Sequence, residues 1–119
     1  MRRVVICSPW RGDTALHARY LDACLRDSYA RGEAPFASHA IGPRVLDDDD
    51  VVERMTGMRA ARAWIAAADA VAVYIDLGST EGMRDEIRCA AMRRVPVEYR
   101  RLGGEWARRR AKKLRPRNP

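Results

Sequence analysis

Residues 71 to 75, Val-Ala-Val-Tyr-Ile, form a short apolar run that ends abruptly at Asp76 and passes through Leu-Gly-Ser-Thr into a helical pattern. A run this short and continuous reads as a strand buried on both faces, which belongs to a parallel sheet covered by helices. The helix that follows carries Met83, Glu86, Ile87 and Ala90 at spacings of three and four, so these four side chains share one face. Three of them suit a core. The fourth is a carboxylate, and an unpaired buried carboxylate costs several kcal/mol, roughly. Glu86 therefore either tilts to solvent or is placed for chemistry.

The remaining chain repeats the same alternation. Val4 to Cys7 is a first strand, followed by the loop Ser8-Pro9-Trp10-Arg11-Gly12-Asp13. Asp13 or Thr14 caps a helix running to about Arg31, with Leu16, Tyr20, Leu21, Cys24, Leu25 and Ser28 as its inner stripe and Gly32 as its stop. Residues 34 to 39 are a weaker strand. Asp47 to Asp50 precede a helix over about 49 to 67, whose expected stripe is Val51, Met55, Met58, Arg62 and Ile65, with Trp64 alongside. Four acids there complement the helix dipole and cap its first amides. A metal site would need ligands from several elements. The strand at 70 to 75, a helix over about 82 to 94 and a last strand at 95 to 99 complete the order, with Pro96 pointing to an edge position.

This β-α-β-α-β-α-β order predicts an α/β fold: one doubly wound, Rossmann-like parallel sheet of about four strands in the order 2-1-3-4. Ligands of such sheets bind beyond the carboxyl ends of the strands, where the winding reverses. That point lies between the first and third strands, so the loops 8 to 13 and 76 to 81 are expected to share a crevice. The first brings Ser8, Pro9, Trp10 and Arg11. The second brings Asp76, Ser79, Thr80 and Glu81, leading into Gly82 and Met83. A helix start with small residues accepts an anion, and an indole stacks on a nucleobase. Asp69 and Glu86 are expected to face the same crevice. His39 is expected to be structural or solvated rather than a ligand.

Charge divides the chain. Residues 100 to 119 carry a net +8, while residues 1 to 99 carry −1. The expected division is an α/β domain over 1 to 99 and a basic tail over 100 to 119. The tail is either a solvated helix or a weak electrostatic contact with nucleic acid. Three cysteines without a CxxC pair predict neither a disulfide framework nor a zinc site, and a reduced, cytoplasmic protein. The four apolar residues after Met1-Arg2-Arg3 are too few for a signal peptide, and no stretch is long enough to span a membrane. No metal or organic cofactor is expected.

Two motifs carry a resemblance that extends over roughly residues 4 to 99. Ser8-Pro9-Trp10 is similar to a small-Pro-aromatic loop, and Gly82-x-x-x-Glu86-Ile87-x-x-Ala90, following the Asp69 strand, is similar to a Gly-Thr-x-x-Glu-(Leu/Ile)-Gly-x-Ala helix. Both are features of the nucleoside 2-deoxyribosyltransferase family and its nucleotide N-glycosidase relatives, which this chain resembles. Uncharacterised phage and bacterial small proteins of that superfamily look closer still. The resemblance implies that Glu86 attacks the anomeric carbon of a deoxyribose and that Asp69 handles the base or its proton. It also implies a nucleoside or nucleotide ligand and a homo-oligomer whose neighbouring subunit completes the pocket. Three departures stand out. Met83 replaces a Thr, Arg88 replaces a Gly, and Thr80 occupies the position of an expected acid. The alternative to N-glycosidic chemistry is a non-catalytic nucleotide-binding module.

Overall fold

The computed structural model describes residues 1–114, with side chains described through Arg109; the C-terminal end of the predicted basic tail lies outside the described residues. Its four strands are β1 (Arg3–Cys7), β2 (Ala34–Phe36), β3 (Ala70–Tyr74) and β4 (Val97–Arg100). They form one parallel sheet in the order β2-β1-β3-β4, as the sequence pattern predicts. The helices are α1 (Thr14–Ala30), the single turn α2 (Gly42–Val45), α3 (Val51–Ala67), α4 (Glu81–Met92) and α5 (Glu105–Leu114).

Alternation along the two central strands makes two cores. Val4 and Ile6 of β1, with Ala72 and Tyr74 of β3, pack under Tyr20, Leu21 and Cys24 of α1 and Trp106 of α5. Val5 and Cys7, with Val71 and Val73, pack under Ile65 of α3 and Met83 and Ala90 of α4. A strand presents successive side chains to opposite faces, so the four apolar residues Val4 to Cys7 and the five of β3 suffice to feed both layers. No helix among the described residues is long and apolar enough to cross a membrane.

The caps follow their chemistry. Asp13 accepts from the Leu16 amide at 3.1 Å at the start of α1. Asp50 accepts from the amides of Val52 (2.9 Å) and Glu53 (3.1 Å) at the start of α3. Asp47 holds the Asp49 amide at 2.9 Å, and Asp48 pairs with Arg11 at 3.5 Å. The acidic run is thus spent on a turn, a cap and an ion pair. Asp50→Ala is expected to cost about 1 kcal/mol, read as a lower urea midpoint at unchanged slope.

Three expectations change. Residues 34 to 39 do not remain extended. After Phe36 the chain turns through a 3-10 segment, Ser38–Ala40, which swings His39 over the end of β1. Helix α3 keeps only part of its expected stripe: Ile65 is buried, but Val51, Met55 and Arg62 are exposed, and Ala61 joins Ile65 in the core contact. The N-terminal half of α3 overhangs a cavity, so apolar side chains there had no core to enter. The division at residue 99 also fails, because it cuts β4. Arg100 is buried, and Trp106 sits edge-on to Tyr20 at 4.9 Å between ring centres, so the core continues into α5.

Candidate functional site

A cavity of about 430 Å³ opens beyond the carboxyl ends of β1 and β3, against the first two turns of α4. Its size falls within the roughly 300–1,000 Å³ of small-molecule sites. The loop after β1 supplies Ser8, Trp10 and Arg11; α4 supplies Glu81, Gly82, Met83 and Glu86. Gly12 (φ 95°) and Gly78 (φ 86°) turn the two bordering loops through left-handed backbone, which other residues adopt at a cost. The N-cap of α4 is Thr80, whose hydroxyl accepts from the Met83 amide at 3.2 Å. The Thr that stands where an acid was expected therefore does a structural job.

Glu86 is the most unusual group in the cavity. One of its carboxylate oxygens, Oε2, is buried and has no hydrogen-bond partner. Burial pushes its pKa up to about 7, and the neighbouring Asp85 charge adds to this, while the Cys7 thiol opposes it. Beneath it, the Cys7 thiol donates to the Met83 carbonyl at 3.7 Å and is itself held protonated by burial. Asp85 also lines the cavity but is taken by Arg62, whose Nη2 donates to both carboxylate oxygens at 3.0 and 3.1 Å.

Ser8 Oγ and His39 Nε2 lie 2.7 Å apart at the cavity wall, and the His39 ring meets Trp10 edge-on at 6.1 Å. Burial, with His17 nearby, lowers the His39 pKa to about 4, so the ring is neutral at pH 7. A neutral imidazole beside a hydroxyl is a paired donor and acceptor suited to reading a ligand's polar edge. The neighbouring His17 fixes the loop: its Nδ1–H donates to the Trp10 carbonyl at 2.8 Å. A lone His in a sequence gives no sign of such a role; the only signal was its position after a strand ending near the crevice.

Several expected site residues lie elsewhere. Asp69 precedes β3, at the amino end of the sheet, opposite the cavity. It accepts from the Arg3 amide at 2.7 Å and pairs with the Arg3 guanidinium at 3.3 Å, which holds its pKa below the usual carboxylate value. It cannot act on a ligand beside Glu86. Asp76 is buried and accepts from the Tyr20 hydroxyl (2.6 Å) and from the amides of Leu102 and Gly103, fastening the segment before α5. Pro9 is fully buried behind the loop it shapes. Ser79 faces a separate groove and accepts from Arg84 at 3.2 Å.

A family model described as "Domain of unknown function (DUF7768)" matches residues 2–100. Among solved structures, the chain is similar to a 2-deoxyribosyltransferase of the psychrotolerant bacterium Bacillus psychrosaccharolyticus, a biocatalyst for nucleoside synthesis. The TM-score is 0.62 at 18% identity, over 86% of this chain and 74% of that one. At that identity the likeness is one of fold. No curated protein matches the chain.

Proposed function

Since the chain belongs to the DUF7768 family, which has no assigned activity, we propose from the cavity itself that it binds a nucleoside or nucleotide and breaks or exchanges the N-glycosidic bond, with Glu86 as nucleophile. The observation that carries this is the orphaned, buried Glu86 oxygen in a cavity bordered by an indole and a Ser–His pair. An unsatisfied carboxylate is costly to keep, and a ligand carbon that becomes cationic is a partner that would use it. The shared fold with a 2-deoxyribosyltransferase supports the same chemistry.

In the proposed step, a Glu86 oxygen bonds to C1′ as the C1′–N bond breaks. The bonding pair leaves on the base nitrogen, which takes up a proton, and the sugar remains as an ester on Glu86. Water or a second base then attacks C1′ and frees the carboxylate. Removing Asp69 from this scheme leaves Glu81 and Glu53, both at the cavity lining, or the Ser8–His39 pair, to pass the proton. Exposed Val45, Val51, Val52 and Met55, near pocket-lining Leu46 and Glu53 in sequence, support a homo-oligomer. The three free cysteines support a reducing, cytoplasmic setting.

The test is base release from a panel of deoxynucleosides and their monophosphates. Glu86→Gln is expected to remove at least about 1,000-fold of the rate, as loss of a nucleophile does. Because Glu86 must be ionised to attack, the wild-type rate is expected to rise with pH through about 7. The position of Asp69 favours a second reading, a binding module without turnover. A ligand-induced rise in melting temperature with no free base from any panel member would establish that reading and end the catalytic one.

A further inference from the structure

A second concavity lies on the other flank of α4. It is an open groove of about 560 Å³, lined by Arg84, Arg88 and Arg101, with no carboxylate among its lining residues. The cavity at Glu86 has the opposite balance: Asp48, Glu53, Glu81, Asp85 and Glu86 against three arginines. The groove floor is apolar, made by Val73, Ile75 and Ile87, and Tyr99 of the outermost strand stands beside it 61% exposed. Arg84 is steadied by the Ser79 hydroxyl at 3.2 Å, while Arg101 has no ion-pair partner among the described residues.

Arg88 is paired with Asp85 at 3.8 Å, but Arg84 and Arg101 face the groove with no carboxylate partner among the described residues; two such guanidiniums repel one another, and an anion bound between them relieves that cost. Guanidinium forks match phosphate oxygens in geometry. An exposed tyrosine ring over an apolar floor suits the face of a nucleobase. We propose that this groove is a second ligand site, separate from the cavity at Glu86, that takes a phosphate-bearing nucleobase, with the base against Tyr99 and the phosphate between Arg84 and Arg101. Arg88 lines both concavities, so an occupant of the groove sits one side chain away from the candidate active site. A free mononucleotide and a nucleotide within a single strand offer the same chemistry to this groove.

The proposal does not depend on the glycosidic reading, and calorimetric binding to the full chain separates the two. The probes are deoxyadenosine, deoxyadenosine monophosphate and a short oligodeoxyadenylate. The paired change Arg84→Ala/Arg101→Ala is expected to weaken monophosphate binding at least about tenfold and to leave deoxyadenosine binding unchanged. Tyr99→Ala is expected to weaken the monophosphate several-fold. All three arginine and tyrosine positions are at the surface, so loss of fold is not the expected cause, and an unchanged melting temperature checks it. A strand that binds more tightly than the monophosphate, with a steeper salt dependence lost in the arginine variant, identifies strands as the source. Equal affinities identify free nucleotides. The proposal is overturned if the monophosphate binds no more tightly than deoxyadenosine, or if the arginine variant binds it as the wild type does.

Discussion

Glu86→Gln is expected to stabilise the folded chain at pH 8 by roughly 2–3 kcal/mol, and to change it little at pH 4. The effect comes from the carboxylate's raised pKa of about 7, set chiefly by burial, against about 4.3 in an unfolded chain. A group that holds its proton more tightly when folded favours folding at low pH. As pH rises from about 4.3 towards 7, the unfolded chain releases this proton first and the folded state loses ground; above 7 the loss is complete and constant. Glutamine has the same shape and no charge, so it escapes that loss. Urea midpoints of wild type and variant, measured from pH 4 to 8, are expected to coincide at the acid end and separate steadily to pH 7. Parallel curves across this range would mean that the buried Oε2 finds a partner in solution. A gain in stability together with a loss of base release would mark Glu86 as a residue kept for function at the expense of the fold.

The sheet was legible because β3 is wholly apolar, β1 is apolar after Arg3, and both are short and followed by helices, which leaves little choice but a central parallel position. Glu86 was legible for the converse reason, as a charge interrupting the apolar face of α4. Asp69 was misread because nearness in sequence to β3 says nothing about which end of the sheet a residue occupies. A strand carries its first and last neighbours to opposite edges, and only the last reaches the crevice. Asp76 does stand at the right end, but its carboxylate is taken up by Tyr20 and the amides of residues 102 and 103, a partnership spanning 26 residues or more that no local pattern records. His39 was missed because its position depends on the chain leaving β2 after Phe36, three residues earlier than expected. Pro35 within that strand has no amide to donate to the ladder, which helps to keep β2 short. The basic tail was read by charge alone, whereas Trp106 within it fills the core under α1, flanked by Arg19 and Arg109 at 6.0 and 5.5 Å from its ring centre.

Replacing Arg100 with methionine is expected to cost about 3–5 kcal/mol, because it strands a carboxylate in the interior. The Arg100 guanidinium is buried and donates to both oxygens of buried Glu33, at 2.8 and 2.7 Å, and to the Tyr74 hydroxyl at 3.1 Å. Among the described residues, Glu33 otherwise receives only the Ser28 hydroxyl at 2.8 Å and the more distant Arg2 at 3.4 Å. Without Arg100, the tie between β4 and the start of β2 is left to the more exposed Arg2, which pairs with both Glu33 and Glu98. The double change Arg100→Met/Glu33→Met is expected to recover much of the loss, since two apolar side chains of similar length need no partner. The pH dependence separates this mechanism from a simple packing defect. Arg100 holds the Glu33 pKa below its ordinary value, so the pair stabilises the fold above the unfolded carboxylate pKa of about 4.3 and loses that contribution as pH falls through the lower folded value. The gap between wild type and Arg100→Met is therefore expected to be widest at neutral pH and to narrow below about pH 4. A gap that stays constant down to pH 3, measured by urea unfolding, would assign the cost to lost packing and hydrogen bonds rather than to the stranded charge.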